Sequence, residues 1–95
     1  MHINGFVWLP DVVEKLIVRH QVSIEEAEQA FNTDSRFRFV AKGRRNKDEA
    51  LYSAYGTTDP GRYLIIFFIH KPGGLALVVS GRDMDDKERK WYERG

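Results

Sequence analysis

No cysteine occurs in this 95-residue sequence. That absence excludes a disulfide scaffold and a thiolate metal site, and it removes the commonest covalent nucleophile of small hydrolases. Histidine is scarce as well. His2, His20 and His70 are the only imidazoles, so a multi-histidine metal centre would have to gather all three together with carboxylates; no metal and no cofactor are expected. No stretch approaches the roughly 20 apolar residues that cross a bilayer, and the N-terminus lacks the basic region and long apolar run of a secretory signal. The expectation is a soluble protein with a cytoplasmic address and no membrane contact. Also missing are a phosphate-cradling glycine loop, a His-Glu-x-x-His metal motif and a nucleophile elbow.

What is present suffices for one core. With 42% apolar and 13% aromatic residues, the chain reads as a single domain over residues 1–95. Formal net charge is only +1, yet the charge is unevenly spread. The first third carries Asp11, Glu14, Glu25, Glu26, Glu28 and Asp34 against Lys15 and Arg19. The middle is basic, with Arg36, Arg38, Lys42, Arg44, Arg45 and Lys47 preceding Asp48.

Periodicity gives the element order. After the apolar start Phe6, Val7 and Trp8, Pro10 and Asp11 open a segment in which Val12, Val13, Leu16 and Ile17 recur at helical spacing, predicting a helix over about 11–20. Ser23 followed by Glu26 has the capping-box form, and Ile24, Ala27, Ala30 and Phe31 supply the stripe of a second helix. Both are short and must dock on something else to be stable. Alternation over 36–41 puts Phe37 and Phe39 on one face of a strand and two arginines on the other. Residues 51–55 form a second strand, ended by Gly56 and a turn-rich run. The continuous apolar run 63–69 predicts a strand covered on both faces, hence central. Lys71, Pro72, Gly73 and Gly74 turn the chain into a strand over 75–80. Asp83, Asp85 and Asp86 ahead of Lys87, Arg89, Lys90 and Arg94 complement a helix dipole, predicting a third helix over about 84–94. The fold class is α+β, with two N-terminal helices, a four-stranded antiparallel meander and a C-terminal helix.

The basic run 36–47 has the composition of a phosphate-binding surface, because Arg and Lys release condensed counterions from a nucleic-acid backbone, and Phe37, Phe39, Tyr52 and Tyr55 have faces on which bases stack. The same alternation is also what any half-exposed strand shows. His70 ends the most apolar strand beside Lys71, where an imidazole can exchange a proton and an ammonium can meet phosphate charge; an edge histidine without chemistry has the same signature. His20 has a structural use at a helix C-terminus. Arg82 leaves the last strand ahead of the aspartate cluster, where a guanidinium can clamp a phosphate through two parallel hydrogen bonds or pair with Asp85 or Asp86. Trp91 and Tyr92 are adjacent, so one is expected in the core and the other over a cleft.

Read end to end, the chain resembles the BrnT family. Arg19-His20-Gln21-Val22-Ser23-Ile24-Glu25-Glu26-Ala27 resembles that family's Arg-Lys-His-Gly-Val-Ser-Phe-Glu-Glu-Ala segment, with Gln21 in place of glycine. Glu49 to Gly56 resembles its Glu-Glu-Arg-Tyr-x-x-x-Gly segment, keeping Glu49, Tyr52 and Gly56 but carrying Leu51 where arginine is usual. Gly61-Arg62 before the apolar strand, then Val79-Ser80-Gly81-Arg82 with Glu88 and Tyr92, resembles the ending stretch. The resemblance implies a RelE-like fold and an RNA-cleaving toxin of a type II toxin-antitoxin pair. It also implies a ribbon-helix-helix antitoxin that neutralises the toxin and carries it to operator DNA. Arg82 matches the family's arginine after the last strand, Lys71 stands where an arginine usually ends the preceding strand, and Glu49 keeps the acid of the middle motif.

The expected chemistry is metal-independent endoribonuclease cleavage by the substrate's own 2′-hydroxyl, with Arg82 and Lys71 meeting phosphate charge and His70 or Glu49 moving the proton. RNA contact is expected from Arg36, Arg38, Lys42, Arg44, Arg45 and Lys47. The lysine at 71 and the leucine at 51 weaken bidentate phosphate recognition and remove a charge. Two alternatives therefore stand beside the enzyme: a non-catalytic RNA- or ribosome-binding module, and a partner-binding domain of the same fold.

Overall fold

A computed structural model describes residues 1–43 and 49–95. The chain runs β1 (Gly5–Val7), α1 (Pro10–His20), α2 (Ile24–Gln29), β2 (Arg36–Lys42), β3 (Ala50–Thr57), β4 (Tyr63–Lys71), β5 (Leu75–Asp83) and α3 (Asp86–Arg94). The class is α+β. The five strands form one sheet in the order β1-β5-β4-β3-β2, with β2 to β5 antiparallel in sequence order and β1 parallel to β5. The expected four-stranded antiparallel sheet is thus a mixed five-stranded one. The missing strand is three residues long, too short to show alternation, and its partner lies at the other end of the chain. It is tied in beyond the strand itself, since the Asn4 amide N–H donates to the Gly74 carbonyl at 2.7 Å and its side chain to the Gly73 carbonyl at 2.8 Å. Gly74 supports this corner with φ +78°, a conformation that costs side-chain-bearing residues energy.

β4 is central and buried on both sides, as its unbroken apolar sequence demands. Its even-numbered side chains Leu64, Ile66 and Phe68 join Ala54, Ala76 and Val78 under α1 and α2, which contribute Leu16, Ala27 and Ala30. Its odd-numbered Ile65 packs with Tyr55 and Met84 on the opposite face, where Trp91 and Tyr92 of α3 cover part of the sheet. Helices therefore lie on both sides, two on one face and one on the other. Contact between α2 and β3 is close enough that a Cβ on Gly56 would fall 1.9 Å from the Ala30 carbonyl oxygen. Only glycine permits that approach.

The local signals at the helix ends are met in detail. Ser23 Oγ accepts from the Glu26 amide and Glu26 returns a bond to the Ser23 amide, both at 3.1 Å. A second capping box joins Asp85 and Glu88, with both bonds at 2.8 Å. α1 starts on Pro10 and ends where Gln21 takes φ 54°, its amide donating to Ile17 and that of Val22 to Leu16. This is the left-handed closure that usually employs glycine. Among the described residues, no helix is long and apolar enough to cross a membrane.

Candidate functional site

The sheet register assembles the α3 side row by row. Arg36, Tyr55, Ile65 and Arg82 are successive cross-strand partners over β2, β3, β4 and β5. The next row is Arg38, Ser53, Phe67 and Ser80, and beyond it lie Ala41, Leu51, Ile69 and Leu77. Because side chains alternate across a strand, all of these share one face. The face is an apolar floor with arginines at its margins, covered by α3 at the end where the first row lies.

The arginines differ in what they already hold. Arg36 is half-buried, with its guanidinium 3.8 Å from the Trp91 ring centre, and it donates to the carbonyls of Trp91 and Tyr92 at the end of α3. Its charge serves the helix terminus. Arg38 is exposed and lies 4.6 Å from the same indole without a side-chain hydrogen-bond acceptor among the described residues. Arg82 reaches over the Phe67 ring at 5.7 Å and forms a two-pronged bond to Glu88, at 2.7 and 2.9 Å. The partner is Glu88, not the aspartates Asp85 or Asp86. Arg82 holds the Glu88 carboxyl below its ordinary value, with the Asp85 amide adding to the effect, and the carboxylate in turn raises the pKa of the guanidinium. Both groups are charged at neutral pH.

Of the other residues singled out by sequence, Lys71 shares this face but not this neighbourhood. Six positions along β4 separate it from Ile65, the cross-strand partner of Arg82, which is roughly 20 Å of extended chain. Its ammonium is paired with Glu49. Lys71 and Arg82 therefore cannot meet on one phosphate. His70 lies on the other face altogether, at the edge of the α1/α2 core, against Tyr52 with ring centres 6.5 Å apart. Its Nε2 is buried and has no partner among the described residues. The expected grouping of Arg82, Lys71, His70 and Glu49 is thus replaced by two separate ion pairs and a histidine beneath the sheet. Lys42 is exposed and pairs with Ala50, which places it on the α1/α2 side by alternation. Arg44, Arg45 and Lys47 lie outside the described residues.

Trp91 and Tyr92 both pack on the sheet: Trp91 against Tyr55 at 4.6 Å and Tyr92 edge-on to Tyr63 at 6.1 Å. Glu88 entered the sequence reading only within the resembling ending stretch and without a role, because its bond to Arg82 is visible only once α3 is docked. Arg62 escaped as a structural hub. Its five N–H donors are met by Asp83 at 2.7 and 3.0 Å, Glu26 at 3.1 Å and the carbonyls of Gln21 and His20 at 2.6 and 2.9 Å. It closes the end of α1, the start of α2 and the end of β5 on one planar group. The chain matches no protein-family model and no curated protein.

Proposed function

We propose that this chain is the toxin of a type II toxin-antitoxin pair with a RelE-like, BrnT-type fold, binding RNA on the α3 side of its sheet. The single observation that carries RNA binding is the placement of Arg38 and Arg82 on one face around the half-open ring of Phe67. Guanidinium groups grip phosphate oxygens in pairs, and an aromatic face accepts an unstacked base. The element order and the short motifs around Glu26, Gly56 and Arg82 support the BrnT-like reading. A ribbon-helix-helix antitoxin is the partner that reading requires, with operator DNA reached only through it.

For cleavage, Glu88 takes the role assigned from sequence to His70 or Glu49, because it is the carboxylate bonded to Arg82. As an RNA phosphate engages Arg82, Glu88 is released beside it and accepts the 2′-hydroxyl proton. The 2′-oxygen attacks phosphorus, the bond to the 5′-oxygen breaks and that oxygen takes a proton from water, while Glu88 returns its proton to the hydroxide so formed, leaving a 2′,3′-cyclic phosphate and a 5′-hydroxyl. No protein nucleophile is needed.

The test uses purified refolded protein and radiolabelled RNA. Arg82→Ala is expected to reduce binding about tenfold or more and to abolish cleavage. Glu88→Gln keeps the capping box, since glutamine also serves at that position, and is expected to tighten binding while cleavage falls. Cleavage unchanged in both variants would overturn the assignment. RNA binding by the native protein with no cleavage would replace the enzyme by the non-catalytic module.

A further inference from the structure

The faces of α1 and α2 turned away from the sheet carry a second surface that the RNA reading does not use. Trp8, Val13, Ile17, Val18 and Ile24 line an open groove of about 520 Å³ between the two helices, with Glu14 the only charged residue among those described as lining it. Ile17 and Val18 are 52% and 67% exposed, which is high for adjacent branched aliphatic side chains whose helix already has its own buried face on Leu16. Sheet packing does not require them there.

Charge around the groove narrows what can cover it. Asp11 and Glu14 on α1 and Glu25 on α2 are exposed, and none makes an ion pair among the described residues. Of the two other charged residues on this stretch of α1, Arg19 is exposed, so three exposed acids stand against one exposed cation, and Lys15 is turned inward. Its ammonium donates at 2.9 Å to the carbonyl of Val79, the extra residue where the β4–β5 register shifts. A second copy of this chain docking groove to groove would bring together two surfaces that each carry three exposed acids and one exposed arginine, and a net like charge across an interface costs affinity. The groove is apolar and lies between helices, so its natural occupant is an amphipathic helix. α1 spans 11 residues, about 16 Å at the helical rise.

We infer that the α1/α2 groove docks a short amphipathic helix with a basic polar face, supplied by a partner protein, on the opposite side of the sheet from Arg38 and Arg82. This docking is independent of whether the α3 side cleaves, or even binds, RNA.

The two tryptophans make the inference separable from the RNA reading, because Trp8 lines the groove and Trp91 belongs to α3, where it packs on the opposite face of the sheet. Two synthetic helical peptides, with one leucine-alanine apolar stripe and either lysine or glutamate on the polar face, are titrated into full-length protein labelled with nitrogen-15. The lysine peptide is expected to shift the Trp8 indole signal and the amides of Val13, Ile17 and Val18 while Trp91 stays still. The glutamate peptide is expected to bind at least about tenfold more weakly. Ile17→Glu should abolish the shifts, and the double variant Glu14→Lys, Glu25→Lys should invert the preference; both changes are at exposed positions, and unchanged dispersion elsewhere verifies the fold. Equal affinity for the two peptides, or no movement of Trp8, would overturn the inference. So would a Trp8 shift on self-association without peptide, or one produced by RNA alone.

Discussion

Two arginines carry most of the polar organisation, and they are used in opposite ways. Arg62 spends all five donors on its own chain, two of them on main-chain carbonyls left open at the end of α1. Arg62→Ala would leave those carbonyls and two carboxylates without their partner, and is expected to cost about 2 kcal/mol or more, read from the urea midpoint. The carboxyls of Glu26, Asp83 and Glu88 are all held below their ordinary values of 4.5, 3.8 and 4.5; for Asp83 and Glu88 the bonded arginine is the leading cause, and for Glu26 the bond from the Ser23 amide leads, with Arg62 adding to it. Lowered acids stabilise the fold fully above the unfolded-state values and lose that contribution as pH falls through the folded-state ones. Stability should therefore be flat from neutrality to about pH 5 and decline below about pH 4, with a shallower decline in Arg62→Ala. Arg82 differs in having a single side-chain partner, Glu88, that a phosphate can displace. Sequence marked Arg82 as functional by its place after the last strand but could not tell it from Arg62, since both are arginines at strand ends. His70 and Lys71 show the complementary error. They are neighbours in sequence and lie on opposite faces of β4, which alternation alone foretells once the strand is known to run through both.

At the level of elements, the signals that were legible were those complete within a few residues. The three helices and the four strands β2 to β5 were readable because helical spacing, caps, charge order, alternation and turns are local signals. The strand pairing of Gly5–Val7 was not, because nothing within that segment specifies β5. The separation of Lys71 from Arg82 was implicit in the predicted hairpin, whose turn has Gly73 at φ +81° and Gly74 at φ +78°, since Lys71 stands beside the turn and Arg82 at the far end. Gln21 offers a clean test of element-level reading. It occupies the left-handed position that closes α1, at φ 54°, where the resembling segment has glycine. Gln21→Gly should raise stability by about 1 kcal/mol, measured by chemical denaturation, through relief of the side-chain clash. Gly56→Ala should do the reverse. Its added carbon would fall at 1.9 Å from a main-chain oxygen of α2, and a loss of about 3 kcal/mol or failure to fold is expected.

Across the whole molecule, the charge gradient seen in the sequence becomes a difference between faces. Asp11, Glu14 and Glu25 are exposed on α1 and α2 beside a single exposed Arg19, whereas the α3 side carries Arg38 and Arg82 and a helix whose exposed Asp86 and Glu93 are outnumbered by Lys87, Arg89, Lys90 and Arg94. A net charge of +1 gives little long-range attraction for a polyanion, so RNA affinity must come from the few contacts at that face. With two phosphate contacts, the dependence of log affinity on log salt is expected to have a slope of roughly −1.4 for a single strand, and Arg38→Ala should halve it. A slope several times steeper, measured by filter binding over a salt series, would locate the main contacts elsewhere. The parallel junction of β1 with β5 also has a consequence for synthesis. Asn4 is bonded to Gly73, 69 positions later, so the first residues leave the ribosome well before their partner exists. At typical elongation rates of 5–20 residues per second, that wait is roughly 3 to 14 seconds. Arg82 and Glu88 emerge later still, so a nascent chain that already carries Arg38 lacks the other two charged members of the candidate site until β5 and α3 have been made.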